Sequence, residues 1–499
     1  MQTLPPEVLS EIFLNCIVTK AITLPSRAPI LLTRVNRLWR AVALSTPRLW
    51  SYLYLERFTR SLGAMEPSEL RVHMPSGDVT KTRSYVTALR TWLSLSKRTP
   101  LTLRFWVHDI HPTSGDKDIV AKYMRILCTH SARWKDIEIR IPHNVSNFIP
   151  ILNQCRSLPF LESFYFDNWQ GGWEPIDITL LESAPLLRRA RITHPFLESW
   201  FLPWSQLTRL SIESCFWCDM DFSNSFDMDV FIDILSHCIN LEVLKFLCDL
   251  AFCPSVTRSK STFAVLPQLQ SLRMVIFMGS AVEDNMDEAE IIFALLFQCL
   301  THLVLPKLRT LELPHYLSHH NWDDSFLQFS THFLESLENL KIVYCSIPLH
   351  VFTNMLECLS NLTSMAISFT VTDWEGILGE LTLTSTAYGS KQLVPNLAEL
   401  KIIWSGLSLN AESAFYEAFT TMIESRWQAR SRRAREVGEG ADTLSGLTTL
   451  CVGSVEKTME QMTPLQRARM ARCVEEGLCL EDWLNKPHSF RDPTFDPEW

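Results

Sequence analysis

One short phrase recurs down the chain and restricts what it can fold into: an apolar residue, two variable ones, a second apolar residue, one variable residue and a third apolar residue. It reads Leu161, Phe164, Phe166; Leu187, Ala190, Ile192; Leu207, Leu210, Ile212; Leu241, Leu244, Phe246; and Leu269, Leu272, Met274. It continues as Leu308, Leu311, Leu313; Leu337, Leu340, Ile342; Leu362, Met365, Ile367; Leu397, Leu400, Ile402; and Leu447, Leu450, Val452, with Trp134, Ile137 and Ile139 as an earlier copy. The last two apolar residues of each copy alternate with a variable one, the period of a strand buried on one face. Between copies, Met228 to Leu241, Trp322 to Leu340 and Leu349 to Leu362 carry helical spacing. A strand, turn and helix of this size cannot bury its own apolar face, so the copies must stack into a continuous core.

Leading residues lie 20 to 50 residues apart, so the stack is expected to be irregular. Pro185, Pro267, Pro306 and Pro395 just before copies favour strands over an all-helical solenoid, because proline suits a strand's first residue and not a helix interior. The repeat resembles the leucine-rich repeat, whose further Asn or Cys is echoed by Cys215 and Cys345.

At the N-terminus, Val8, Leu9, Ile12 and Phe13 form the apolar stripe of one helix, opened by Pro5 and Pro6. Leu31, Leu32, Val35, Leu38, Trp39 and Val42 predict a second. Both are too short to be stable alone, so each stripe must bury against its neighbour or another protein. The order Leu4-Pro5-Pro6-Glu7, Ile12-Phe13, Val35 with Trp39, and Pro47-Arg48-Leu49-Trp50 resembles the F-box, although the link from Ile17 to Ile30 is longer and more apolar than usual. That resemblance implies a three-helix module docking a Skp-family adaptor, and through it a cullin-RING ubiquitin ligase, by way of Leu4, Pro5, Val8, Leu9, Ile12, Phe13, Val35, Trp39, Leu49 and Trp50.

The fold expected is α/β: an F-box over 1–54, a linker with first irregular repeats over 55–150, a leucine-rich-repeat solenoid over 151–460 with a curved parallel sheet and helices on its convex side, and a helical cap and tail over 461–499. Tyr85 to Trp106, Cys128 to Ile141, and Gly477-Leu478 after a helix over Pro464 to Glu476 are similar to parts of fungal F-box proteins with degenerate leucine-rich repeats. The function so implied is substrate recognition for a Skp-cullin-F-box ligase, with an interaction scaffold free of any ubiquitin role as the alternative.

Catalytic chemistry is not expected. With 15 glycines there is no GxGxxG or P-loop, and neither G-x-S-x-G nor H-E-x-x-H occurs. Cys215 and Cys218 form a single CxxC, too little for a structural zinc site. Asp219, Asp221, Asp227 and Asp229 lack the spacing of a calcium loop. His315, His319 and His320 beside Asp323 and Asp324 read as a polar connection, and Arg426, Arg430, Arg432, Arg433 and Arg435 as a solvated helix tail. No cofactor or metal is expected. Forty-six bases against 55 acids give a net charge of −9, which disfavours nucleic acid and anionic membranes as partners. The longest apolar stretch, Ile291 to Leu305, is interrupted by polar residues and reads as a buried helix. Fourteen cysteines without a compact framework or a secretory signal suggest reduced thiols in the cytoplasm or nucleus.

The variable positions inside the copies should line the concave face, the usual binding surface of such stacks. Lys245, Arg273, Lys341 and Lys401 share one of those positions, Arg191 falls on it too, and a column of cations would favour an acidic or phosphorylated target.

Overall fold

A computed structural model describes residues 4–17, 27–57, 79–107, 114–142, 148–169, 177–193, 199–213, 228–249, 263–277, 301–317, 333–345, 349–369, 374–383, 393–402, 413–437 and 446–482. The chain divides into two compact units, Met1–Leu241 and Glu242–Trp499. The division falls inside the stretch expected to be one solenoid.

The first unit opens with helices α1 (Pro6–Asn15), α2 (Leu32–Val35) and α3 (Arg37–Ser45), then a 3-10 turn over Pro47–Trp50. The single second helix expected from Leu31 to Val42 is thus two. Asn36 breaks it with extended backbone (φ −158°, ψ 177°) and its side chain accepts the Trp39 amide at 2.8 Å, an N-cap that offsets the lost helical bond. Six parallel strands follow: β1 (Tyr52–Arg57), β2 (Leu101–Val107), β3 (Trp134–Pro142), β4 (Ser163–Trp169), β5 (Arg189–Thr193) and β6 (Arg209–Glu213). Each pairs with the next in chain order. Helices α4 (Val79–Leu95), α5 (Ser114–Cys128) and α6 (Phe148–Leu152) carry the first crossovers, and α7 (Met228–His237) lies after the last strand. The described residues of the 55–150 stretch include the end of β1 and all of β2 and β3, which belong to the same sheet.

The second unit repeats the plan with eight parallel strands: β7 (Val243–Asp249), β9 (Ser271–Phe277), β11 (Thr310–Leu317), β12 (Asn339–Cys345), β13 (Ser364–Phe369), β14 (Glu399–Ile402), β15 (Thr449–Val452) and β16 (Cys479–Asp482). Its helices are α8 (Leu349–Cys358), α9 (Trp374–Leu381), α10 (Ser413–Val437), α11 (Val455–Gln461) and α12 (Pro464–Glu475). Two-residue strands β8 (Ala264–Val265) and β10 (Leu303–Val304) pair separately. β10 and β12 replace the ends of the helices expected over Ile291 to Leu305 and Trp322 to Leu340. The helical cap expected after 461 ends in β16, which extends the sheet.

Every leading leucine of the ten copies, from Leu161 to Leu447, is fully buried, and their second and third apolar residues are buried as well. The backbone shows why the prolines stand where they do. The amides of Leu187, Leu269, Leu308 and Leu397 bond back to the carbonyls of Ala184, Leu266, Leu305 and Val394 at 3.2, 3.2, 3.2 and 3.3 Å. Pro185, Pro267, Pro306 and Pro395 are thus the second residues of β-turns, where the ring's fixed φ is already correct, and not the first residues of strands. The turn also buries a fourth apolar residue three places before each of these leucines, namely Ala184, Leu266, Leu305 and Val394.

Register passes from copy to copy by backbone. The Glu338 carbonyl accepts both the Thr363 and Ser364 amides, the Thr363 carbonyl both the Ala398 and Glu399 amides, and the Ala398 carbonyl both the Thr448 and Thr449 amides, all between 2.7 and 3.1 Å. Asparagines just ahead of the leading leucine bond the preceding turn: Asn240 to the Ser205 carbonyl at 2.7 Å, Asn361 to Glu335 at 2.6 Å and Asn396 to Ser360 at 2.8 Å. These side chains satisfy carbonyls that the tight turns leave without ladder partners.

Candidate docking stripe and polar sheet face

The N-terminal helices divide their apolar residues in two. Leu9 and Phe13 face inward with Leu32, Val42, Ala43, Leu49 and Trp50, all buried. Phe13 packs on Trp39 with ring centroids 5.0 Å apart. Trp50 donates its indole N–H to the Ala43 carbonyl at 2.8 Å and meets Trp92 of α4 edge-on at 4.9 Å, which fastens the helices to the first crossover. Leu4, Val8 and Ile12, spaced four apart on one stripe, are instead exposed by 43% to 50%, and Val35 by 51%. Pro5, Leu31 and Leu38 are exposed as well, while Trp39 is half-buried. Of the ten residues expected to touch an adaptor, Leu9, Phe13, Leu49 and Trp50 hold the module together, and Leu4, Pro5, Val8, Ile12 and Val35 are free to meet a partner.

In the first unit, strand alternation sends leucine, isoleucine and phenylalanine to the core and polar or aromatic residues to the other face. Register aligns Tyr54, Arg104, Glu138, Tyr165, Arg191 and Ser211 across all six strands. Arg104 holds Asp136 through two hydrogen bonds of 2.9 and 3.2 Å and reaches Glu138 at 2.8 Å. Arg140 donates to Glu138 at 2.7 Å and lies between two rings, 4.3 Å over Trp106 and 4.9 Å over Tyr165. Arg191 covers Tyr165 at 4.3 Å and donates to Glu213 at 2.7 Å, whose other oxygen accepts from Ser211 at 2.9 Å. With Tyr54 edge-on to Trp106 at 5.1 Å, the face is a column of alternating rings and guanidinium groups. Such a column is rigid and rich in the Tyr, Trp and Arg that dominate binding energy at protein interfaces.

Asp167, which accepts the Tyr165 hydroxyl at 3.3 Å, has its carboxyl pushed up to about 6, first by burial and against the opposing pull of Arg140. Burial likewise drives the Tyr165 phenol well above its ordinary value.

In the second unit, Lys245, Arg273, Glu312, Lys341, Ala366, Lys401, Cys451 and Glu481 share one position across eight strands. The four cations expected to align do so, but Glu312 lies between Arg273 and Lys341. It bonds Arg273 at 3.2 Å and also pairs with Lys341. Lys401 pairs with Glu399 at 2.8 Å, and Lys245 is buried. Glu312 and Glu399 thus offset part of the column's positive charge. Sequence position alone gave Glu312 no special weight, although it occupies the same place in its own copy.

Arg426, expected in a solvated tail, is among the largest fully buried side chains. Its guanidinium donates to the carbonyls of Leu381 (2.7 Å), Val394 (3.0 Å) and Leu393 (3.1 Å), joining α10 to the end of α9 and the turn before β14. Burial lowers its pKa to about 10. Arg430 stacks over Trp427 at 5.2 Å, and the side chains of Arg432, Arg433 and Arg435 lie outside the described residues.

The Cys215 and Cys218 pair, Asp219, Asp221 and Asp227, and His319, His320, Asp323 and Asp324 also fall outside them, as does the side chain of His315. Among the described residues no group of His, Cys, Asp and Glu could hold a metal, and no helix is long and apolar enough to cross a membrane. No protein-family model matches the chain, and no curated protein matches it in sequence.

Proposed function

We propose that this protein is a non-enzymatic substrate receptor of a Skp-cullin-F-box type ubiquitin ligase, with leucine-rich repeats as its target-binding part. The observation that carries the reading is the division of the N-terminal helices into a buried spine and an exposed stripe of Leu4, Val8 and Ile12 flanked by Val35. With about half of each side chain still exposed, leaving that stripe in water forgoes about 1 kcal/mol per large apolar side chain, which a partner's groove would recover. The repeats support the other half of the role. Parallel strands with buried leading leucines fit the leucine-rich-repeat pattern, and the stacked rings and guanidinium groups fit a protein-binding face. Catalysis in such a receptor is proximity: one chain holds the ligase through its adaptor and the target on its sheet, so transfer becomes effectively intramolecular. The free cysteines among the described residues accord with a reducing compartment, the cytoplasm or nucleus.

Trp50 against Trp92 also suits a simple helical cap on a repeat scaffold, so the decisive test is capture of a Skp-family adaptor. The full chain should retain the purified adaptor, and the double variant Val8→Asp, Ile12→Asp should lose it while keeping the native melting temperature. Leu9→Asp is unsuitable, because Leu9 is buried and its loss would unfold the module. Failure of the native chain to retain any such adaptor would sink the reading.

A further inference from the structure

Two cysteines of the first unit stand at the same place in successive copies. Cys128 lies six residues before Trp134 and Cys155 six residues before Leu161, the leading residues of the copies that form β3 and β4. These strands are neighbours in the sheet, so equivalent positions of the two copies come side by side. Cys128 is the last residue of α5, Cys155 follows α6, and the two helices pack on each other. Their thiols share a hydrogen bond. The backbone at both is held firmly. The His130 amide donates to the Leu127 carbonyl and the Cys155 amide to the Leu152 carbonyl, each at 2.9 Å, and both leucines are fully buried. Asn153 fastens the turn that carries Cys155 to the next connector, donating to the Asp177 carbonyl at 2.8 Å and accepting the Thr179 amide at 3.1 Å. Cys155 is buried and Cys128 half-buried, so the pair meets solvent mainly through Cys128.

We propose that Cys128 and Cys155 form an oxidation site that hydrogen peroxide closes to a disulfide between the β3 and β4 copies. The site does not depend on the ligase reading. The shared hydrogen bond gives the two sulfurs different parts. It lowers the Cys155 pKa, with help from the Ser131 hydroxyl and against burial, and it raises that of Cys128. The thiolate is the nucleophile in such chemistry, so Cys155 reacts first. Its sulfur attacks one peroxide oxygen, the O–O bond breaks, and the departing hydroxide takes up a proton to leave as water. The Cys128 sulfur then attacks the resulting sulfenic acid, the S–O bond breaks, and a second water leaves with the Cys128 proton. Two thiols give up two electrons and one peroxide accepts them. The bridge encloses β3 and ties the turn after α6 to the end of α5. In a reducing compartment such a bond is transient and reports oxidant.

The test uses the full reduced chain, treated with hydrogen peroxide, alkylated at its remaining thiols, digested and mapped by mass spectrometry. The Cys128 and Cys155 peptides should appear joined, and dithiothreitol should separate them. Cys238, a buried thiol that burial pushes up to about 12, should stay reduced and serves as the internal control. The oxidised chain should unfold about 5 °C higher than the reduced one, a shift that dithiothreitol reverses. Cys128→Ser should abolish the shift and leave Cys155 as a sulfenic acid that dimedone captures. Thermal melts of the reduced variant monitor its fold, and if it melts early the peptide map of the native chain decides alone. Free alkylation of both Cys128 and Cys155 after peroxide has oxidised the exposed Cys16 overturns the proposal. So does a map in which either one is joined to a third cysteine instead.

Discussion

Replacing Arg426 by methionine would remove one cation and leave three carbonyls, those of Leu381, Leu393 and Val394, without their donor. Hydrogen bonds to a charged group contribute about 2 kcal/mol each, so their loss amounts to about 6 kcal/mol. Against this stands the cost of burying the guanidinium. Its pKa falls from 12.5 to about 10, an expense of about 3 kcal/mol at about 1.4 kcal/mol per unit that methionine does not incur. The expected net destabilisation is about 3 kcal/mol. It should be local, because the three carbonyls belong to the end of α9 and the turn before β14. Native-state hydrogen exchange resolves this: amides over Trp374–Leu381 should lose protection in Arg426→Met, while those of β4 and β5 in the first unit keep theirs. Arg426→Lys, which keeps the charge but not the fork, should fall between native and methionine. If Arg426→Met changed protection in α9 by less than about 0.5 kcal/mol, the fork would be incidental to stability and the reasoning refuted.

Asp167 supplies a pH dependence with a definite sign. Its folded pKa of about 6 lies above the ordinary 3.8, so the fold favours the protonated form and native stability falls as pH rises from about 4 to about 6. Asp167→Asn should therefore raise stability at pH 7 by up to about 3 kcal/mol, with the gap closing as pH drops through 6 towards 4; a gap independent of pH in denaturant titrations would contradict this. Gly446, at φ +146°, precedes the last leading leucine, and a Cβ there would come within 2.5 Å of the Arg430 Cβ. Gly446→Ala should cost about 2 kcal/mol or more, read as a lowered unfolding midpoint, because backbone and helix α10 must both shift.

Spacing made the strands readable. Leu337, Leu340 and Ile342 name their own buried positions, and the alternation that buries them puts Lys341 on the opposite face. What spacing could not show is which charges meet, because Glu312 sits in a different copy from Arg273 and Lys341 and only register across strands brings them together. The first strand carries the same phrase as Trp50, Leu53 and Leu55, but its leading Trp50 is the residue that the F-box resemblance assigns to the N-terminal module, whereas β16 departs from the phrase because Cys479-Leu480-Glu481-Asp482 has no third apolar residue. Arg426 looked solvated because it begins a basic run, whereas its burial depends on α9 and the turn before β14. The N-terminal stripe was visible as helical periodicity, but its division into spine and exposed edge follows from how α1 rotates against Trp39 and Val42. A polar Asn36 in the middle of an apolar pattern was the one local sign of the break between α2 and α3.

The shared carbonyls of Glu338, Thr363 and Ala398 have a consequence for how such a chain can change over time. Each copy is aligned on the copy before it by a shared carbonyl that opens the ladder and by the strand pairing that follows, and not by the connector between them. A connector can therefore lengthen by a dozen residues, as between Leu397 and Leu447, without disturbing the next strand. The register behaves like a relay handed on from strand to strand, which leaves the intervening segments free to diversify while the two faces of the sheet stay aligned.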